Sequence, residues 1–462
     1  MHDFHKNDIV ITCNKNAILT RVKGFLNKMM TLKTFIGGIN PRYNKEIAKN
    51  SQIEIVLPGK ELVFPLAGKV GTPAKATVKV GDKVLAGQQI GRADGFFSVP
   101  VHSSVSGIVK GIKQKTIFTG ERVRSVIVEN DELYDEIEYP AQKPLKEMTN
   151  SDIINRIHEA GIVGMSGSGY PTHIKISPQN HDTISHVIIN GAECEPYLTN
   201  DHRLMLEEPE RLIGGLKILL KLFPYARGVI AVADDKPECI ELLKQKTGKD
   251  TRINIKALKN KYPQGAERRI IMSVTGRLLD PAAIPETVGV ILLNVDTVIN
   301  IHRAVITGRN LTSRIVTVAG DAIREPRNFR VRLGTSYDTL IEAAGGFIKK
   351  PVKIISGGPM MGHALSDTNI PVTKLSTAIL AFTKDEVHKS QSTVCINCLK
   401  CASVCPERLL PMKLAVFSEY GEDDSFINYS GLECTKCGCC SYICPAKLPL
   451  TEVIVKMKGK YE

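Results

Sequence analysis

Nine of the twelve cysteines fall between Cys395 and Cys444, in two runs of the same spacing. The first is Cys395-x2-Cys398-x2-Cys401-x3-Cys405 and ends on Pro406; the second is Cys434-x2-Cys437-x2-Cys440-x3-Cys444 and ends on Pro445. Three close thiolates and one distant one, closed by Cys-Pro, is the ligand pattern of two-cluster ferredoxins, in which the fourth cysteine of each run serves the other cluster. The spacing therefore predicts two 4Fe–4S clusters. One is held by Cys395, Cys398, Cys401 and Cys444, the other by Cys405, Cys434, Cys437 and Cys440. Zinc ribbons use Cys-x2-Cys pairs and do not require the third and fourth cysteines. Disulfides need an oxidising compartment, and the chain opens on no signal-peptide pattern. Cys439, inside the second run, reads as a spare thiol, and Cys13 and Cys239 as ordinary residues.

A second cluster of chemistry-bearing residues lies upstream. Gly161-Ile162-Val163-Gly164-Met165-Ser166-Gly167-Ser168-Gly169-Tyr170-Pro171-Thr172 is rich in residues that tolerate positive φ and let backbone approach a ligand. Consecutive N–H groups in such a loop point at an anion. Pro171 suits the first turn of a following helix, whose N-terminus also favours phosphate. The loop is neither a Walker loop nor the usual dinucleotide fingerprint, and a tight structural turn would use glycines in the same way. Three further segments carry polar groups: Asn190-Gly191-Ala192-Glu193-Cys194-Glu195-Pro196, Tyr262-Pro263-Gln264-Gly265-Ala266-Glu267-Arg268 and Leu293-Asn294-Val295-Asp296-Thr297. The first follows an apolar run, and the carboxyl end of a strand is where open α/β sheets bind ligands.

On these segments, together with Gly37-Gly38-Ile39 and both cysteine runs, the chain from about Thr34 to Lys447 resembles the C subunits of Rnf complexes. Those complexes are ferredoxin:NAD oxidoreductases that move sodium ions or protons. The central part is also similar to the NADH-binding flavoprotein of respiratory complex I. The resemblance implies bound FMN and an NAD(H) site. Gly164, Gly167 and Gly169 would line the flavin phosphate and the nicotinamide approach, and Lys175 would neutralise the phosphate. Asn190, Glu193 and Cys194 would meet the flavin, with Glu195 beside them; Cys194 stands where the complex I flavoprotein has serine. Tyr262, Gly265 and Glu267 would complete the nucleotide face, and Asn294 and Thr297 would bind the ribityl or phosphate end. The complex I flavoprotein holds one cluster where this chain has two runs, which favours the Rnf resemblance.

These residues need scaffolds to hold them. Residues 53–130 read as short strands and turns, as in Val78–Gly91 and Val99–Val109, and resemble the flattened barrel of biotinyl and lipoyl carriers. Where those domains present a modified lysine, this one offers Ser103-Ser104, so the barrel is read as a docking element. From Ser151, with Ser151 or Asn150 as cap, helical patterns alternate with apolar strands at His186–Asn190, Gly228–Ala233 and Val288–Asn294, predicting a parallel sheet. Residues 312–362 run strand, strand, helix, strand, a β-grasp pattern. The expected fold is multidomain α/β. It comprises a basic, poorly ordered leader over 1–40, a barrel-sandwich domain over 41–140, an α/β FMN/NADH domain over 145–305, a β-grasp module over 310–365 and a helical two-cluster ferredoxin-like domain over 385–450. Acidic and proline-bearing residues 130–146 read as a linker.

Composition narrows the function classes. The chain has 462 residues and a net charge of +13, and residues 1–50 carry nine Lys/Arg against three Asp/Glu. Such a basic arm is either solvated or meets an anionic surface. Met29-Met30 marks a candidate start, which would make residues 1–29 an upstream extension. No nucleic-acid motif accompanies the charge. No stretch approaches the roughly 18 apolar residues of a membrane span; Leu212–Phe223 is interrupted by Lys217 and Lys221. The combined reading is a peripheral subunit on the cytoplasmic face of a bacterial membrane, docked on membrane-embedded Rnf subunits and an iron–sulfur subunit. It would exchange hydride between NAD(H) and FMN and relay single electrons through two clusters, in the translocase class of ferredoxin:NAD+ oxidoreductases. The alternatives are a microcompartment cobalamin reductase, which shares the flavin-like core and two cysteine runs, and a relay scaffold without flavin.

Overall fold

The computed structural model describes residues 33–385 and 391–461. The leader up to Met30 and Cys13 lie outside them. Residues 33–40, expected to belong to that poorly ordered leader, are packed: Ile39 exchanges backbone hydrogen bonds with Tyr262 at 2.8 and 2.9 Å, and Gly38 N donates to Val404 O at 2.7 Å.

The first strand, β1 (Ile53–Val56), leaves its neighbours to join a later sheet. The barrel follows as β2 (Glu61–Pro65), β3 (Lys75–Ala76), β4 (Lys83–Val84), β5 (Gln89–Arg92), β6 (Val101–His102), β7 (Gly107–Thr116) and β8 (Arg122–Asn130). Its two sheets run β2-β8-β7-β4 and β3-β5-β6. The strands turn one face inward by alternation, Leu62 and Phe64 on β2 meeting Val126 and Val128 on β8 in one apolar core. Ser103 and Ser104 are buried, and Ser104 Oγ donates to Leu333 O at 2.6 Å. The position that presents a lysine in carrier domains is thus fastened to a neighbouring module. The segment read as a linker also packs, Ile137 N donating to Ala86 O at 3.0 Å.

The α/β domain opens with helix Asn150–Glu159, capped by Thr149 in a reciprocal box with Asp152 rather than by Asn150 or Ser151. Its sheet contains β9 (His186–Gly191), β10 (Arg227–Ala233), β11 (Ile253–Leu258) and β12 (Val290–Asn294) in the order β11-β10-β9-β12, all parallel. Strands β9, β10 and β12 are nearly continuous apolar runs because helices cover them. Edge strand β11 alternates instead and was not foreseen. Register places Asn190 directly opposite Asn294, so two expected ligand residues meet at the carboxyl edge of the sheet.

The β-grasp module has β13 (Ser313–Ala319), β14 (Arg327–Arg332), helix Tyr337–Ala343, β15 (Lys353–Ser356), β16 (His363–Leu365) and β17 (Ala378–Phe382). Its sheet order is β1-β14-β13-β17-β15-β16. The sheet therefore runs past residue 365 to Phe382, and it takes β1 from the stretch assigned to the barrel. Short helices, from Lys400–Val404 to Leu450–Lys458, carry the cysteines around a core of Leu409, Leu414, Phe426, Ile454 and Met457. Among the described residues no helix is long and apolar enough to cross a membrane.

Candidate functional site

The glycine loop is a closed hairpin. Val163 and Pro171 form a bridge, Gly164 N donates to Tyr170 O at 2.8 Å, and Gly169 N donates to Gly164 O at 3.0 Å. Thr297 Oγ1 accepts from Met165 N at 3.1 Å, and Arg314 Nη1 donates to Met165 O at 2.9 Å. Thr297 is wholly buried, so it fixes the loop from beneath. Gly167 has φ +100°, and a Cβ there would meet nothing within 4 Å. The loop thus keeps an open backbone face, as an approaching phosphate or ring requires.

Beside it, the end of β9 is tied to the turn before helix Glu267–Thr275. Asn190 Nδ2 donates to Gly265 O at 2.9 Å, and Gly265 N donates to Cys194 Sγ at 3.4 Å. A Cβ on Gly265 would lie 3.3 Å from Cys194 Sγ, a tight contact that the glycine relieves. Burial, aided by Glu195, pushes the Cys194 thiol up to about 11, which keeps it neutral. Glu193 takes φ +41°. Its carboxylate accepts from Asp201 N at 2.7 Å and pairs with Lys45 Nζ at 3.2 Å. Asp201 in turn accepts from Asn294 Nδ2 at 2.6 Å. Burial, reinforced by Glu193, pushes Asp201 up to about 8, so it carries its proton at neutral pH. Asn294 Oδ1 caps helix Val295–Thr307 through Asp296 N at 3.0 Å.

Glu195 turns toward the β-grasp module, where Met360 N donates to its Oε2 at 3.1 Å. Its Oε1 is buried without a partner, and burial pushes the carboxyl up to about 7. The open backbone at Gly167, the protonated Asp201 and the unpaired Glu195 Oε1 are polar groups that a bound cofactor could meet.

Three expected residues, Lys175, Glu267 and Tyr262, are engaged by partners within the fold. Lys175 closes a four-residue helix, Thr172–Lys175, and its Nζ pairs with Glu267 Oε2 at 3.0 Å. Lys175 and Glu267 thus satisfy each other. Tyr262 is buried, and its hydroxyl donates to Cys437 O at 2.7 Å, so it faces the cysteine domain. Lys45, Asp201 and Arg314 were not foreseen. No local motif marks them, because each acts through a partner distant in sequence.

The cysteines gather around two cavities. Cys395, Cys398, Cys401 and Cys444 line one; Cys405, Cys434, Cys437, Cys439 and Cys440 line the other. Each cavity draws cysteines from both runs, and either set can supply the four thiolates that a cubane takes. No three His, Cys, Asp or Glu among the described residues converge as a single metal ion would require. Cys439 is buried and packs with Tyr262 and Ile39, next to Cys194 and Met360.

Comparison with known proteins follows the same division. The chain matches an RnfC barrel sandwich hybrid domain over residues 33–133, a Nuo51 FMN-binding domain over 157–303, an SLBB domain over 315–364 and a 4Fe-4S dicluster domain over 394–448. It is 40% identical to the C subunit of the Na+-translocating ferredoxin:NAD+ oxidoreductase complex of Acetobacterium woodii, covering 84% of this chain and 87% of that one. Identity to the C subunit of the proton-translocating complex of Clostridium ljungdahlii is 38%, over 84% and 85%. The C subunit of the Pectobacterium atrosepticum ion-translocating oxidoreductase complex is 35% identical, and the match spans 56% of its length. An NAD+-reducing [NiFe]-hydrogenase chain shares the fold, with TM-score 0.50 and 17% identity over 69% of this chain and 63% of that one. An FMN-binding domain and an iron–sulfur domain in one polypeptide make it an electron-transfer subunit. The chain belongs to the RnfC family, the C subunits of Rnf ion-translocating ferredoxin:NAD+ oxidoreductase complexes.

Proposed function

We propose that this protein exchanges hydride between NAD(H) and FMN at the glycine loop and relays single electrons through two 4Fe–4S clusters to other Rnf subunits. The single observation that carries the reading is the seam between the two sites. Tyr262 joins the segment that holds Cys194 to the cavity of Cys405, Cys434, Cys437 and Cys440 by its hydrogen bond to Cys437 O at 2.7 Å. That cavity is therefore the entry cluster. Cys395 and Cys398 of the other set are exposed, with Val394 and Ile396 beside them, which suits the exit toward a docked redox partner.

When bound, FMN supplies the conversion between a two-electron hydride donor and one-electron centres. The chain's own residues set the stage for it. Gly164, Gly167 and Gly169 would give it backbone access, Thr297 and Arg314 hold the loop still, and Asn190, Glu193 and Glu195 would border the ring. Lys175 and Glu267 together close the rim of the nucleotide face. With no membrane-crossing helix among the described residues, ion passage falls to membrane-embedded partners, and this protein docks on them at the cytoplasmic face.

The test is EPR and optical spectroscopy of anaerobically purified protein before and after NADH. Expected are FMN, two cubane signals and reduction of both on adding NADH. Cys434→Ser should stop NADH from reducing the remaining cluster, whereas Cys395→Ser should leave its remaining cluster reducible. NADH reducing neither cluster in flavin-replete protein would overturn the reading.

A further inference from the structure

Strands β15 and β16 are joined by Gly357-Gly358-Pro359-Met360-Met361-Gly362, a hairpin of the β-grasp module. It closes on itself, Gly362 N donating to Gly358 O at 2.8 Å, and Gly357 N fastens it to Ala378 O at 2.8 Å. Gly358 does not take a positive φ, so its backbone would admit any residue. Glu195 is what excludes a side chain there. A Cβ on Gly358 would lie 2.2 Å from Glu195 Oε2, 2.3 Å from its Cδ and 2.6 Å from its Cγ. The carboxyl end of Glu195 therefore rests on the Gly358 backbone, where Met360 N donates to its Oε2 at 3.1 Å. Buried carboxyl groups need such donors, and this one draws its donor from another module.

The Met360 side chain meets the cysteine domain. A Cβ on Gly438 would lie 3.3 Å from Met360 Cε and 3.4 Å from Met360 O, so the methionine packs directly on that glycine. Met360 belongs to the same apolar cluster as Tyr262, Val404, Cys437 and Cys439. Gly438 lines the second cysteine cavity, directly after Cys437 in the chain. Met360 thus touches both sites: its N–H holds the acid that follows β9, and its thioether packs on the turn of the second cysteine run. An unbranched, polarizable side chain suits such an irregular seam.

We propose that this hairpin is a positioning element of the electron path, with Gly358 and the Met360 N–H seating Glu195 and the Met360 side chain shielding the cysteine turn at Gly438. This role rests on the proposed function, with FMN beside Glu195 and a 4Fe–4S cluster at the second cavity. Neither Gly358 nor Met360 is catalytic; each acts through the group it holds. Solvent access tunes cluster potentials, and water stabilises the more negative, reduced state. A strut shared by both sites gives the β-grasp module a part in electron transfer without a ligand of its own.

The test uses the full, cluster-replete chain. Mediated redox titration read by EPR gives both cluster midpoints and needs no NADH. Met360→Ala should raise the midpoint of the cluster whose signal Cys434→Ser removes and leave the other unchanged; Met360→Leu, of similar volume, should restore it. FMN fluorescence titration reads the other end of the hairpin. Displacing Glu195 from its donor, Gly358→Ala should weaken FMN binding by about two- to tenfold. Glu195→Ala empties the space that the new methyl takes, so adding Gly358→Ala to it should cost nothing more. The two variants report separately, so misfolding of one leaves the other decisive. Unmoved midpoints in Met360→Ala, a shift shared by both clusters, or a Gly358→Ala loss that persists beside Glu195→Ala overturns the proposal and leaves the hairpin as the closure of the β-grasp sheet. Wild-type clusters that mediators reduce and NADH does not would fail the proposed hydride exchange alone.

Discussion

Lys45 Nζ lies 3.2 Å from Glu193 Oε2, with both side chains buried, at 7% and 3% exposure. Lys45 also donates to Glu193 O, so one ammonium holds the carboxylate and the backbone of a residue with φ +41°. Burial pulls the Lys45 pKa down and Glu193 opposes that pull. Removing one partner of a buried pair leaves the other uncompensated, at a cost of about 3–5 kcal/mol. Lys45→Met should therefore destabilise the α/β domain by about that amount and weaken FMN binding. Lys45→Met combined with Glu193→Gln should recover part of the stability. Urea unfolding and FMN fluorescence titration check both; equal stability of Lys45→Met and wild-type protein would remove the assigned role.

Lys45 also marks where the sequence stopped being informative. The cysteine runs are legible because cubane ligation fixes their spacing locally, and each cavity draws cysteines from both runs. Strands β9, β10 and β12 were legible as apolar runs. Edge strand β11 alternates, with Ile253, Ile255 and Leu258 buried among more exposed residues, and lacks that signal. Strand β1 joins β14 through pairs such as Ile53 with Asn328, and no local pattern announces a partner so distant. The pairing of Lys175 with Glu267 was hidden for the same reason: each alone reads as a ligand candidate, and only the fold shows that they satisfy each other.

The proposed crossed ligation would make Cys444 a ligand of the first run's cluster. Cys444→Ser and Cys395→Ser should perturb the same EPR signal, and Cys405→Ser should perturb the signal lost in Cys434→Ser. Cys439→Ser, in the lining of the second cavity but not among the proposed ligands, should retain the full iron content. Matched signals for Cys395→Ser and Cys405→Ser would mean that each run holds its own cluster.

Glu195 gives the site a pH dependence of defined sign. Burial raises its carboxyl from 4.5 to about 7, against the Met360 and Met361 N–H groups and Lys45, which favour the charged form. The fold thus prefers the protonated acid. The stability it contributes is full below pH 4.5 and is lost as pH rises through about 7. Glu195→Gln cannot ionise, so its melting temperature should gain on that of wild-type protein between about pH 4.5 and 7 and level off above. Parallel melting curves across that range would show that Glu195 is already ionised in the fold.

Arg268 and Arg269 both reach Glu407, whose side chain is 2% exposed, and Arg269 Nη1 donates to Pro406 O at 2.5 Å. Glu407 follows Cys405 by two residues, so this ion pair clamps the entry-cluster segment onto the α/β domain. Gly37 and Gly38 allow the other close approach on this seam, since a Cβ on Gly37 would stand 2.7 Å from Cys405 O. Glu407→Gln removes the charge that the buried Arg269 and the partly exposed Arg268 share, and the segment should loosen at the side where electrons are proposed to enter. Misplacing reacting groups by about 1 Å can cost up to about 100-fold in rate, so NADH-driven cluster reduction should slow by roughly tenfold or more. NADH:ferricyanide turnover, which draws on the flavin site directly, should hold close to the wild-type rate. Stopped-flow absorbance of cluster reduction, run beside the ferricyanide assay on the same preparation, separates the two. Equal slowing of both activities would place Glu407 in the stability of the α/β domain instead of at the seam between the two redox sites.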